Sequence, residues 1–321
     1  MRARTLLILF VALLLASCTA DSRVSDDPEA VTTDPGVLTP EDAVKTHPDF
    51  GSYWYQGLAE LNRYELEQSR YGEIHKGEAV LIFVTEDFLE DVQVKYEGHG
   101  PRDTALSVLK LNSYRRFYTG LYPYTMMTSS FTPTRGGDSL PLKVTTTSQE
   151  WCGSTFAQAN LRGDSYELHG RSYFQQEGDW SSTIDKAVLE DGLWAQVRRD
   201  PEKLPTGELS VVPGSHYTRL VHKPYEAVAA TATLSEATTD PAWSEAPIRI
   251  YSVEYPAHQR TVNIYFTEAF PHQIVGWEEI YPGFGPKLTT RAKLTHAMLE
   301  DYWSHHNNAD SPLRSSLGLQ H

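Results

Sequence analysis

Hydrophobic and polar residues alternate along most of the chain after Tyr53, and a period of two is typical of β-strands that bury one face. From Val262 to Phe266, for example, every second residue is a large apolar residue of a kind that is usually buried. Short runs rich in β-branched and aromatic residues, separated by Gly, Pro, Asn or Asp, lie at 79–85, 142–147, 207–212, 248–255 and 274–281. This pattern predicts about a dozen antiparallel strands.

Helical spacing occurs in one long segment and one short segment. The segment from Asp185 to Arg199 carries an apolar stripe and ends before Pro201, so we predict a helix there with Asp185 as its cap. The stripe consists of Val188, Leu189, Leu193, Trp194 and Val197. A second short helix is predicted from Tyr53 to Leu61. We therefore expect a mainly β fold, with one or more large antiparallel sheets forming a sandwich or a partly closed barrel and one or two short helices.

The N-terminus has the features of a bacterial export signal. Arg2 and Arg4 precede an uncharged apolar run at 6–15, which is too short to span a bilayer as a helix. The run ends in Leu-Ala-Ser-Cys at 15–18, which resembles the lipobox of bacterial lipoproteins. This resemblance implies cleavage of the signal peptide 1–17 and attachment of lipid to Cys18. The alternative is an ordinary secretory signal with an accidental cysteine.

The segment that follows Cys18 predicts a tether. Residues 18–47 are acidic and hold almost no large apolar side chain, so they cannot bury enough surface to offset their ordering entropy. We expect a flexible, lipidated tether at 18–47 and a single β-rich globular domain at 48–321. Lipoprotein signals imply that Asp after the lipidated cysteine favours the inner membrane. Because Thr19 stands there, we expect an outer-membrane anchor facing the periplasm, with the cell surface as the alternative.

Charge and cysteine content limit the partners. The formal net charge of the 321-residue chain is −14, so nucleic acid is not an expected partner. Lipidation of Cys18 leaves Cys152 as the second of two cysteines, and no intramolecular disulfide is then possible. We expect the membrane as a partner through the N-terminal lipid, and an apolar ligand or an envelope protein as a further partner.

Several stretches resemble a known family. These stretches are YELEQSRYGE at 64–73, AVLIFVTEDF at 79–88, TGLYPY at 119–124, QEWCG at 149–153 and GWEE at 276–279. Together with the lipobox they resemble a family of uncharacterised bacterial envelope lipoproteins often labelled "septum formation inhibitor Maf". The resemblance covers nearly all of the chain after the tether and brings no established reaction or ligand.

The label itself does not fit the residues. True Maf proteins are cytoplasmic nucleotide pyrophosphatases with a Ser-rich, Arg-containing phosphate loop after the first strand of an α/β fold. The nearest string here is Ser311 to Arg314, at the opposite end of the chain, where we predict a C-terminal tail. We therefore do not predict nucleotide pyrophosphatase activity.

Candidate chemistry is sparse. Cys152 is a candidate nucleophile or, in the simpler interpretation, a small buried hydrophobe beside Trp151. Glu150 on the same strand is either a buried acid or a solvated residue. His305 and His306 are adjacent, so they are predicted to be surface residues rather than ligands. The sequence has no HExxH, paired CxxC, GxSxG, Walker or GxGxxG motif, so no metal or cofactor is predicted.

Adjacent carboxylates and a set of aromatic residues complete the candidates. Glu278 and Glu279 would point to opposite faces of a strand, so we do not expect them to act as a catalytic pair. The aromatic set is Tyr53, Trp54, Tyr55, Tyr114, Phe117, Tyr118, Tyr122, Tyr124, Trp151, Trp277 and Tyr281. These residues either line an apolar cavity in a curved sheet or pack an ordinary core.

Three functions remain open at this point. The first is a non-enzymatic envelope lipoprotein that binds or carries an apolar or envelope-derived ligand, or docks a protein partner, and it requires an apolar concavity. The second is an envelope hydrolase with a polar cluster around Glu150, Cys152 and a histidine. The third is a structural spacer, which predicts a filled core and an exposed aromatic patch.

Overall fold

The computed structural model describes residues 47–136, 140–283 and 286–319. They belong to one compact unit, Thr39–His321, so we expect the segment 39–321 to fold when produced alone. The predicted signal peptide, Cys18 and the tether up to residue 46 lie outside the described residues. The α-helices in the described residues are α1 Phe50–Trp54, α2 Glu190–Arg199, α3 Ser215–Val221 and α4 Pro312–Ser316.

Seventeen strands in the described residues form one sheet. The strands are β1 Ala59–Arg70, β2 Glu73–Leu89, β3 Val94–Lys95, β4 Ala105–Thr119, β5 Tyr122–Pro133, β6 Lys143–Glu150, β7 Gly153–Arg162, β8 Ser165–Ser172, β9 Trp180–Asp185, β10 Val188–Leu189, β11 Gly207–Val212, β12 Val228–Leu234, β13 Thr238–Asp240, β14 Ser244–Tyr255, β15 Arg260–Thr267, β16 Ile274–Tyr281 and β17 Leu288–Glu300.

Strand β1 lies at the centre of the sheet, between β2 and β17. From β2 the sheet continues through β4 to β9 in chain order. From β17 it runs back through β16, β15, β14, β12 and β11 to β10. The short strands β3 and β13 extend the pairing at one end of β2 and of β14. Most neighbours in the sheet are therefore neighbours in sequence, joined by short turns.

The turn between β1 and β2 shows how the sequence sets this pattern. Tyr71 and Gly72 are the two turn residues, with positive φ angles of 54° and 80°, and Arg70 pairs with Glu73 across them. Two-residue hairpin turns of this kind require positive φ, which glycine adopts without steric cost. Gly72 therefore helps to fix the register of β1 and β2.

Helix α2 packs inside the curved sheet and makes its core. Leu193 and Trp194 lie in the main hydrophobic cluster, and Trp194 meets the ring of Trp277 on β16 at 5.3 Å between centroids. On its other side α2 contacts β4 and β5. Near the end of α2, buried Arg198 forms an ion pair with buried Glu60 of β1.

The two ends of the sheet meet through side chains. Tyr166 and Leu168 of β8 pack in one buried cluster with Leu189 of β10 and Val212 of β11. The hydrogen-bonded order of the strands begins at β9 and ends at β10, and the sheet is not closed into a barrel. We call this side-chain contact between β6–β8 and β10–β11 the edge contact.

The fold confirms the predicted class and corrects its details. The protein is mainly β with a large sheet, but the sheet is mixed, because β10 and β11 are parallel, and its strands exceed a dozen. The predicted helix at Asp185 begins at Glu190 instead, because Val188 and Leu189 pair with β11.

The helix predicted from Tyr53 to Leu61 is wrong in position. The structure has α1 at Phe50–Trp54, and Gly57 at φ +77° separates it from β1, which starts at Ala59. At the other end of the chain, α4 stands where a tail was predicted, and Leu317 just after it is buried against Ala59.

Candidate ligand-binding cleft

A cleft of about 320 Å³ opens beside the edge contact. One wall comes from β7, β8 and β9, and the other from α3 and the residues that follow it. We call it the edge cleft. Its aromatic and cationic lining residues include Phe156, Arg171, Trp180, Arg219, Lys223 and Tyr225. Its volume lies in the range of small-molecule sites, about 300–1,000 Å³.

The inner wall of the edge cleft is aromatic. The rings of Trp180 and Tyr225 lie 5.8 Å apart with an interplanar angle of 32°, and both belong to the apolar cluster of the edge contact. Phe156 on β7 also lines the cleft and is 36% exposed. The position of Trp180 depends on Gly170 of β8, because a Cβ atom there would lie 2.1 Å from the indole ring.

Positive charge dominates the outer part of the cleft. The lining contains Arg171, Arg219 and Lys223 against one carboxylate, Glu177. Lys223 is exposed and has no carboxylate partner among the described residues. Arg171 is half exposed, and its Nε lies 3.6 Å from Asp179. The lining therefore carries more cations than carboxylates in a chain of net charge −14, and Asp179 and Glu150 lie outside it as counter-ions of Arg171 and Arg219.

Arg219 is the most buried of these cations. Its side chain is 7% exposed, its Nη2 lies 3.8 Å from Glu150 Oε1, and its guanidinium lies 4.6 Å from the ring centroid of Phe174. The Nε atom of Arg219 is buried without a hydrogen-bond partner. Arg219 therefore brings a largely buried cation with one unbonded N–H to the wall of the cleft.

The single lining carboxylate is already engaged. Ser172 Oγ donates to Glu177 Oε2 at 2.5 Å, and His222 Nδ1 lies 2.5 Å from Glu177 Oε1. Burial opposes ionisation, but the hydrogen bonds with Ser172 and His222 hold the pKa of Glu177 below its usual range. Glu177 is therefore ionised at neutral pH, and its charge is directed toward His222 rather than toward the cations of the cleft.

Two small cavities lead inward from the edge cleft. The first, about 10 Å³, shares Thr146, Trp180 and Tyr225 with the cleft and reaches Asp191. The second, about 20 Å³, begins at Asp191 and is lined by charged residues of the core. The second is large enough to hold one water molecule, the first only marginally so. Asp191 thus lies on the boundary between the cleft region and the interior.

Asp191 is held by α3. Its carboxylate accepts hydrogen bonds from Ser215 Oγ and from the Ser215 backbone N–H, the latter at 3.1 Å. Burial raises its pKa to about 7, although these bonds act in the opposite direction. The neighbouring His216 is also buried, and burial lowers its pKa well below 6.5. An acid, a serine and a histidine are the residue types of a hydrolase site. Here, however, the Ser215 hydroxyl donates directly to the Asp191 carboxylate, and in the described residues it makes no hydrogen bond to the His216 imidazole.

The inner cavity is bounded by a buried ion-pair network. Arg260 contacts both Glu190 and Glu279, and Arg115 Nη2 lies 2.7 Å from Glu279 Oε1. Burial opposes ionisation of Glu279, but the two arginines lower its pKa to about 2. Tyr255 Oη donates to Glu190 at 2.6 Å. The opposite charges compensate one another, so the network holds α2 against the sheet through Glu190.

The predicted candidates Glu150 and Cys152 lie beside the edge cleft. Cys152 is in the turn between β6 and β7 and is exposed, so its interpretation as a buried hydrophobe is wrong. Glu150 is the buried acid: its side chain is 2% exposed, and it accepts a hydrogen bond from the Cys152 N–H at 2.6 Å. The hydrogen bond and charge of Glu150 raise the pKa of the Cys152 thiol, which disfavours the nucleophilic thiolate.

The adjacent carboxylates point to opposite faces, as the strand pattern predicts. Glu279 is buried with Arg115, whereas Glu278 pairs with Arg291 on the outer face. The aromatic set divides in the same way. Trp54, Tyr124 and Trp277 are in the main core, which supports the packing interpretation, but Trp151 is 68% exposed.

Exposed apolar residues gather on the turns at one end of the sheet. We call this the tip surface, defined by Tyr71, Leu121, Trp151 and Tyr173, which are 45%, 78%, 68% and 80% exposed. They occupy the turns after β1, β4, β6 and β8. Tyr71 Oη lies 2.8 Å from Tyr124 Oη, and the ring of Trp151 stacks on Tyr122 at 6.1 Å.

One group of side chains in the described residues has the composition of a metal site. His305 Nε2 lies 3.1 Å from both Glu300 Oε1 and Asp301 Oδ1. Burial opposes protonation of His305, but the two carboxylates raise its pKa. Ion pairs between a protonated His305 and these carboxylates therefore explain why the three side chains lie together.

Sequence reasoning did not identify Arg219, Lys223 and Trp180 as site residues. A visible signal was the basic run HYTRLVHK at 216–223 in an otherwise acidic chain. Its proximity to Trp180 arises only when the two ends of the sheet meet. No known protein family, no curated protein and no solved structure matches this chain. None of the helices in the described residues is long and apolar enough to cross a membrane.

Proposed function

We propose that this chain is a lipid-anchored envelope protein, without enzymatic activity, that binds a small amphiphilic ligand in the edge cleft. In this proposal the lipid on Cys18 anchors the protein in the outer membrane and the segment 39–321 carries the binding site. The edge cleft is the observation that carries the proposal. It combines a volume suited to a small molecule with an aromatic wall and a polar rim.

The ligand is placed at the edge of the sheet rather than within its curve. An apolar concavity was expected for a carrier, but α2 packs in the curve with Leu193 fully buried and Trp194 nearly so. The cavity beside α2 holds about 20 Å³, which is room for one water. The edge cleft is about sixteen times larger and opens beside Trp180 and Tyr225.

The hydrolase alternative has less support. It placed a nucleophile at Cys152 with Glu150 and a histidine nearby. The contacts run from Glu150 to Arg219 and on to His222, so the acid and the histidine are joined through a cation. Glu150 raises the pKa of the Cys152 thiol, which disfavours the thiolate that a nucleophile needs.

The binding proposal is tested by native mass spectrometry. Segment 39–321 is exported to the periplasm behind a cleavable signal, purified without detergent and analysed for small molecules that co-purify. We expect a stoichiometric adduct that is lost in Trp180→Ala and kept in Trp303→Ala, which removes an exposed indole elsewhere. An adduct that survives Trp180→Ala would place the ligand outside the edge cleft and contradict the proposal.

Partner docking is a second candidate function, and the tip surface favours it. A filled core with exposed Leu121, Trp151 and Tyr173 is the arrangement expected of a protein that meets another protein through these turns. The test is crosslinking of the full chain in cells. A single dominant adduct that is lost in Trp151→Ala and kept in Trp303→Ala supports docking, whereas an unchanged pattern rejects the tip surface.

A further inference from the structure

We propose that the ligand of the edge cleft is an anionic amphiphile, whose anionic group is bound at Arg219 and Lys223 and whose apolar part lies on Trp180 and Tyr225. This inference rests on the proposed function and names the class of its ligand. A carboxylate and a phosphate share the chemistry that the cations recognise.

The charge of the lining is the first reason to expect an anionic ligand. Three cationic side chains line the cleft with one carboxylate, Glu177, which is bound to Ser172 and His222. Glu150, outside the lining, is the counter-ion of Arg219. Lys223 has no ion-pair partner among the described residues, and the partner of Arg171 lies at 3.6 Å. A ligand that brings negative charge would be attracted here, although the whole chain is acidic.

The hydrogen-bonding state of Arg219 carries the second step. The side chain of Arg219 is 7% exposed, so it has lost most of its hydration, and its Nε has no hydrogen-bond partner among the described residues. Its ion pair with Glu150 is loose, at 3.8 Å. Glu150 nevertheless compensates its charge, so the site is neutral enough to form without ligand. An anionic group at the cleft would offer this guanidinium a second charged acceptor beside Glu150.

The arrangement of the two walls carries the third step. Thr218, Arg219 and Lys223 lie on or just after α3, whereas Phe156 and Trp180 lie on β7 and β9 across the cleft. Tyr225 joins the two walls through its contact with Trp180 at 5.8 Å. A molecule that has an anionic group at one end and an apolar body at the other fits both walls at once.

The test uses two fluorescent probes with the same ring system. Anilinonaphthalene sulfonate carries a sulfonate, and phenylnaphthylamine lacks it. With segment 39–321 we expect the sulfonate probe to bind at least about tenfold more tightly. Arg219→Gln should weaken the sulfonate probe by about tenfold and Lys223→Gln by about threefold, with little change for the neutral probe.

Two variants guard against indirect effects. Lys223→Gln alters an exposed side chain and does not threaten the fold, and Lys76→Gln removes the same charge from an exposed position on β2. Lys76→Gln should leave both probes unchanged. A Lys223→Gln protein that binds both probes as the unmodified protein does, with equal affinity for the two, overturns the anionic inference while leaving the cleft as a binding site.

Competition then identifies the anionic group. Dodecanoate, dodecyl phosphate and dodecanol are added against the sulfonate probe. Displacement by either anion at a concentration where dodecanol has no effect supports the inference, and the stronger anion names the group as carboxylate or phosphate. Equal displacement by dodecanol rejects the need for charge. Absence of binding by both probes contradicts the proposed function itself.

Discussion

Gly170 of β8 and Trp180 of β9 are paired in register, and the indole occupies the space that a Cβ atom at Gly170 would need. The closest ring atoms would lie 2.1 Å from that Cβ, a distance that requires movement of the indole. Because Trp180 forms the aromatic wall of the edge cleft, the absence of a side chain at Gly170 shapes the proposed site.

Gly170→Ala should therefore weaken ligand binding without removing any group from the cleft. We expect displacement of Trp180 and a loss of affinity for phenylnaphthylamine of about tenfold. The matched control is Gly153→Ala, whose Cβ meets Tyr173, a side chain 80% exposed and free to move. Unchanged affinity in Gly170→Ala, with a shifted Trp180 in a crystal structure, would show that Trp180 does not contact the ligand.

The buried ion-pair network should matter far more for stability than the surface pairs. Arg260→Ala leaves buried Glu190 without its cation, while Glu279 keeps Arg115, so we expect the free energy of unfolding to fall by about 3–5 kcal/mol. Arg291→Ala removes a pair in which the arginine is 53% exposed, and we expect a loss of less than about 1 kcal/mol. Urea unfolding measures both. Equal losses would contradict the structural role of the network.

Asp191 should give stability a distinctive pH dependence. Its pKa rises from 3.8 to about 7 on folding, so the folded state binds the proton more tightly and the free energy of unfolding decreases as pH rises through that window. The pKa of His216 is lowered on folding, which makes the free energy of unfolding increase with pH up to about 6.5. The two contributions oppose each other in the wild-type protein.

Asp191→Asn separates them. Relative to the wild-type protein, the variant should gain stability progressively as the pH rises from about 4 to 7 and show a constant difference above that. Urea unfolding of both proteins at a series of pH values provides the measurement. A difference that does not change with pH would mean that Asp191 titrates normally in the folded protein.

Cys152 should react slowly with alkylating reagents despite its exposure. Glu150 raises the pKa of the thiol, so less thiolate is present at pH 8 than in an unfolded peptide. In segment 39–321 it is the one cysteine, and the mass of its iodoacetamide adduct reports the rate. Glu150→Gln should accelerate the reaction. Rapid alkylation of the unmodified protein would revive the nucleophile hypothesis.

The sequence predicts the fold class well because strand burial is a local property. The alternation around Val262 and the run at 274–281 correspond to β15 and β16. The helix prediction is wrong at Val188 and Leu189. These residues fit both helical spacing and strand propensity, and they form a strand because they pair with β11. That partner lies about twenty residues later in the chain and leaves no local mark.

The candidate site was harder to predict for the same reason. Glu150 was recognised as a possible buried acid, but its cation, Arg219, lies 69 positions away in sequence and is brought near by the meeting of the sheet edges. The cleft exists because these edges touch through side chains without hydrogen bonding. A periodicity in sequence reports which face of a strand is buried, but it does not report where a sheet ends.

The most direct test of ligand binding in the edge cleft is a crystal structure of segment 39–321 purified from its native envelope without detergent. We expect continuous non-protein electron density between Trp180 and Arg219, with an anionic group within hydrogen-bonding distance of the guanidinium. A cleft that contains only ordered water, in crystals of protein shown by mass spectrometry to carry a bound small molecule, would contradict it.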